Sequence, residues 1–129
     1  MCTFMPKYKK LREVLMDRKL ASLGDSFVNL AYSLALSRRR GEPIGAKVDS
    51  RVLSEALKKA GLRKSLPSRT DRHAQADAAE ALIVYVWIQN IMTMDEGVDI
   101  LEQHGDPVEG FCAFLLTITK KLNLTEVGS

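Results

Sequence analysis

The chain has 129 residues, with 46% apolar and 27% charged side chains, a net charge of +3 and two cysteines. That size and balance suit one domain, 1–129, with a real core, and exclude a largely disordered chain. No apolar run approaches the roughly 18 residues of a bilayer span, no apolar signal core opens the chain, and Cys2 and Cys112 form neither a metal spacing nor a disulfide framework. A cytoplasmic protein with reduced thiols and no membrane partner is expected, with Cys112 in the core.

In chain order, nearly every segment reads as helix. Residues 6–18 place Tyr8, Leu11, Val14 and Leu15 at helical spacing. Residues 20–38 predict a long, mostly apolar helix that contains Gly24 and Asp25. The stretch "RRRGEPIGAKVD" is a connector punctuated by Gly41, Pro43 and Gly45. Residues 50–60 predict an amphipathic helix burying Val52, Leu53, Ala56, Leu57 and Ala60, with Asp49 as N-cap and Gly61 as stop. The polar, basic loop "LRKSLPSRTDRH" leads into a helix over 74–91, whose Ala-rich start favours helix over strand. "TMDE" (Thr93 to Glu96) fits a capping box with a stop at Gly105. "DPVE" (Asp106 to Glu109) fits a second box, with Pro107 at the first helical position. The last helix carries Phe111, Phe114, Leu115, Ile118 and Leu122. The predicted fold class is all-α, a bundle of about six helices without repeats or linkers.

Charge is unevenly spread. Residues 36–73 hold eleven basic and four acidic residues, whereas residues 74–129 hold two basic and nine acidic. A polyanion-binding surface beside a metal site would show this pattern, and so would ordinary solvated helix faces.

Three carboxylates stand apart from the other acids. Asp25 sits beside Gly24 in an apolar, small-residue run, where an unpaired buried carboxylate is costly. Asp77 and Glu80 lie three residues apart on one helix face at the start of an apolar run. Brought together from two helices, they would make an oxygen-rich site for Mg²⁺ or Mn²⁺. Spacing alone leaves other readings open. Gly24-Asp25 can be a helix stop and a new N-cap, and Asp77 and Glu80 can be first-turn acids favoured by the helix dipole. His73, one turn before Asp77, can be a ligand or a loop residue.

Two motifs carry a resemblance. "LASLGDSFVNLAYSLAL" resembles the signature helix of ribonuclease III, and "ADAAEALIVYVWI" resembles that family's second acidic motif. Their order and separation match over roughly residues 5–120. The resemblance implies an all-helical ribonuclease III endonuclease domain that cleaves double-stranded RNA with Mg²⁺ or Mn²⁺, leaving 5′-phosphate and 3′-hydroxyl ends. It implies Asp25 and Glu80 as main metal ligands, Asp77 as a supporting acid, and Asn29 near the site or interface. It also implies a homodimer packed through the signature helix, with Phe27, Leu30, Ala31 and Leu34 at the interface. Candidate phosphate contacts are Arg38, Arg39, Arg40, Lys58, Lys59, Arg63, Lys64, Arg69 and Arg72. The family's Glu four residues before the Asp is Ala21 here, as in the Mini-III branch. Without a double-stranded-RNA-binding domain, the expected protein is a compact, Mini-III-like or archaeal-type member. The alternatives are an inactive relative that binds structured RNA or scaffolds a complex, and a helical adaptor with no nucleic-acid role.

Overall fold

The computed structural model describes residues 8–122. Six α-helices follow one another: α1 (Leu11–Leu15), α2 (Arg18–Arg40), α3 (Ser50–Lys59), α4 (Arg72–Ile88), α5 (Met94–Glu102) and α6 (Pro107–Lys121). A 3-10 turn, Arg63–Ser65, lies between α3 and α4, and there is no strand among the described residues. The predicted all-helical class therefore holds. None of these helices is long and apolar enough to cross a membrane.

Most helix ends follow the sequence signals. The Asp49 carboxylate accepts from the Arg51 N–H and starts α3. Thr93 and Glu96 close a reciprocal capping box on α5. Gly41 ends α2 with φ 71°, the left-handed conformation that glycine adopts without penalty. Three expectations need correction. The helix predicted over 6–18 breaks at Met16–Asp17, because the Asp17 carboxylate turns back to accept from the Leu20 N–H and caps α2. The described part of that segment is otherwise the single short α1; residues 6 and 7, like Cys2, lie outside the described residues. At α6 only half of the second box forms. Asp106 accepts from the Glu109 N–H, while the Glu109 side chain pairs with Lys59 on α3. Finally, α4 begins at Arg72, so His73 is helical and not a loop residue.

The centre of the fold is α4. It is apolar nearly all round, with Ala78, Ala79, Ala81, Leu82, Ile83 and Val84 fully buried, which is the pattern of a helix enclosed by others. Helices α1, α2, α3 and α6 pack around it, and α5 bridges α2 and α6. Cys112 is a buried free thiol on α6. One hydrophobic cluster runs through all six helices.

The polar residues inside the otherwise apolar α2 have a local explanation. Asn29, Ser33 and Ser37 recur every four residues and share a face. Along that face the connector runs back extended. The N–H groups of Ile44, Ala46 and Val48 donate to Ser37 Oγ, Ser33 Oγ and Asn29 Oδ1 at 2.8, 2.9 and 2.8 Å. Three side chains on a helix thus satisfy alternate amides of a loop that has no strand to pair with.

Candidate active site

The crossing of α2 over α4 builds the site. An added Cβ on Gly24 would lie 2.1 Å from the Glu80 carbonyl oxygen and 2.5 Å from its carbonyl carbon. Only a hydrogen at this position lets the two backbones meet. Because α2 runs unbroken through Gly24 and Asp25, the stop-and-cap reading is excluded. Asp25 is the next residue after the contact point, so the close crossing sets its carboxylate beside that of Glu80.

The result is a cleft of about 430 Å³ lined by Asp25, Asp77, Glu80, His73, Arg18 and Ser22, with Ala21 and Ala76 as small apolar walls and Val48 and Ser50 from the connector and the start of α3. Glu80 is buried at 8% exposure, whereas Asp25 is exposed and Asp77 half-buried. Burial first, then a hydrogen bond with Asp25 and the negative charges of Asp25 and Asp77, push the Glu80 carboxyl up to about 8. At neutral pH without a cation, a protonated Glu80 donates to the Asp25 carboxylate. Asn29 Nδ2 donates to Asp25 Oδ1 over a long 3.4 Å while its Oδ1 accepts from the Val48 N–H. Asp25 is thus held from one side by Glu80 and from the other by an anchored amide.

The chemistry of this donor set fits a hard divalent cation. With Asp25 beside it, buried Glu80 keeps a proton unless a cation replaces it. Among the described residues no three His, Cys, Asp or Glu side chains gather closely enough to form a complete protein cage. Mg²⁺ does not require one, since it is commonly held by one or two carboxylates with water completing its shell. Asp25 and Glu80 would be the direct ligands; Asp77 adds negative charge from further away.

The basic candidates fall into two groups. Arg38 bridges Asp95, Asp99 and Glu102 of α5, with the closest contact to Asp99 at 2.7 Å. Arg39 donates to the Glu102 carbonyl, Lys59 pairs with Glu109, and Arg63 donates to the Pro67 and Ser68 carbonyls. These four brace the fold. Arg38, Arg39 and Arg40 also lie about 20 Å along α2 from Asp25. Arg40, Lys58, Lys64, Arg69 and Arg72 are exposed and carry no ion pair among the described residues. Sequence reasoning missed Arg18 and Ser22, which reach the cleft because they are seven and three residues before Asp25 on its face of α2. That spacing was the available signal.

The outward face of α2 is apolar. Leu23, Leu30 and Leu34 form an exposed stripe, 51% exposed at Leu30, beside exposed Trp87 of α4. Phe27 and Ala31, predicted at the same interface, are instead buried within the monomer, Ala31 completely. Phe27 supports the stripe from below, its ring tilted on Trp87 with centroids 5.2 Å apart.

Compared with known proteins, the chain matches the family described as Ribonuclease III over residues 18–126. No curated protein matches it.

Proposed function

Because the chain belongs to the ribonuclease III family, we propose that it is a metal-dependent endoribonuclease that hydrolyses phosphodiester bonds in double-stranded or structured RNA, leaving 5′-phosphate and 3′-hydroxyl ends. The observation that carries this reading is the contact of Asp25 with Glu80, carboxylates from two helices meeting in one open cleft. A divalent cation held there would lower the pKa of a water and set positive charge against the phosphate. Asp25 and Glu80 would hold it, with Glu80 giving up its proton. Asn29 keeps Asp25 oriented, as outer-shell partners of ligands do. Asp77 deepens the negative potential at the cleft. Ala21 and Ala76 leave the floor open, so substrate oxygen and water have room beside the carboxylates.

The apolar stripe on α2 supports a homodimer with two such sites, one for each strand of a duplex. Ala21 favours a second reading. An acid is absent where the family pattern has one, so the same surface would bind structured RNA without cutting it.

Incubation of the purified protein with long duplex RNA separates the two. Cleavage is expected with Mg²⁺ or Mn²⁺, none with chelator, and 5′-phosphate ends on the products. Asp25→Asn and Glu80→Gln should each lower the rate by more than the roughly 10–100-fold typical of outer-shell changes. Tight binding without metal-dependent cleavage would establish the second reading.

A further inference from the structure

Among the described residues, Arg18 is the only Lys or Arg that lines the acidic cleft. It is the first residue of α2, about 10 Å along the helix axis from Asp25 and on the same face. Its guanidinium makes no ion pair among the described residues, although Asp25, Asp77 and Glu80 line the same cleft. The neighbouring acid, Asp17, is already taken, since its carboxylate accepts from the Tyr8 hydroxyl and from the Leu20 N–H. An exposed, unpaired guanidinium at the rim of a cation-binding cleft opposes the cation and gains nothing from the fold. It becomes favourable when an anionic chain spans the cleft, one phosphate facing the cation that the carboxylates would hold and the next against the arginine. A planar fork of donors suits a phosphate in that position.

Resting on the reading of the cleft as an RNA-cleaving site, we propose that Arg18 is a substrate-positioning residue that clamps a backbone phosphate flanking the one presented to Asp25 and Glu80. It fixes the register of the strand in the cleft and takes no part in the bond-breaking step. Its partner is the sugar–phosphate backbone, so it reads no sequence.

The test uses fluorescently labelled long duplex RNA, Arg18→Ala, Arg18→Lys and, as a control, Lys19→Ala, which removes an equal charge from the adjacent exposed position. Binding is measured in chelator across a salt series, and cleavage in Mg²⁺. Arg18→Ala should weaken binding and raise KM about tenfold, with kcat within about threefold, and should reduce the salt slope by about one. Arg18→Lys should recover part of the loss, and Lys19→Ala should change KM less than twofold. Equal losses in Arg18→Ala and Lys19→Ala, or no loss in either, would overturn the proposal while leaving the nuclease reading intact. If the wild-type protein binds duplex RNA without cutting it, the nuclease reading fails and the chelator series still decides Arg18. If it does not bind duplex RNA, both fail.

Discussion

Glu80 sits where its surroundings oppose its charge. It is buried, and Asp25 and Asp77 face it. Its folded carboxyl binds a proton up to about pH 8, whereas its ordinary value is 4.5. Between those values the folded state holds the extra proton, so stability without metal is full below pH 4.5 and declines as pH rises toward about 8. The expected slope is on the order of 1 kcal/mol per pH unit. Thermal melts in chelator should show melting temperature falling from pH 5 to pH 8.5, and Mg²⁺ should restore most of it at the upper end. Glu80→Gln, neutral throughout, should flatten the profile. A wild-type profile that is already flat would remove the carboxylate contact from consideration. From residue types and spacing, Asp25, Asp77 and Glu80 were visible as unusual acids, but their convergence was not. Two positions 55 apart in sequence are joined by a helix crossing that periodicity does not encode. The family-like motifs supplied that link.

At the scale of elements, the crossing of α2 and α4 depends on one missing methyl group. Helix propensity alone would make Gly24→Ala stabilising by about 1 kcal/mol. The structure reverses the sign, because the new Cβ would meet backbone atoms of Glu80 that no rotamer change can move. Gly24→Ala should destabilise by about 3 kcal/mol, read as a drop in melting temperature of roughly 10 °C. It should also weaken metal binding by separating Asp25 from Glu80. A more stable variant would show that the helices do not approach this closely. The ends of these elements were largely readable. Asp49, Thr93 with Glu96, Asp106 and Gly41 act locally, through side chains within three residues of the backbone groups they satisfy or through φ alone. Asp17 was not readable as a cap. It falls in a run of helical spacing, and its role is secured by Tyr8, nine residues away. Burial alone would raise the Asp17 carboxyl, but the Tyr8 hydroxyl and the Leu20 and Lys19 N–H groups outweigh it and hold the group below its usual value.

Across the whole molecule, charge and apolar surface are separated. Asp95, Asp99 and Glu102 of α5 are matched to Arg38 at the end of α2, so part of the basic middle segment braces the bundle. That pairing was invisible in composition, where the same residues read as free cations. The apolar stripe of Leu23, Leu30 and Leu34 with Trp87 is the opposite case. Such clustered exposed apolar side chains mark an interaction surface. At micromolar concentration the wild-type protein should have the mass of a dimer by light scattering, and Leu30→Glu with Leu34→Glu should halve it without loss of helix content. A monomeric wild-type protein would rule out self-association through this face.

The polar teeth of α2 carry a last implication, for loop length. Ile44, Ala46 and Val48 present every second amide to Ser37, Ser33 and Asn29, and Asn29 also reaches Asp25. Inserting or deleting one residue upstream of Val48 would turn the intervening amides inward and shift the reading frame of the seam. Asn29 would then lose the tether that aims its amide, so the span between α2 and α3 works as a measured spacer whose gauge is set by the aspartate at its end.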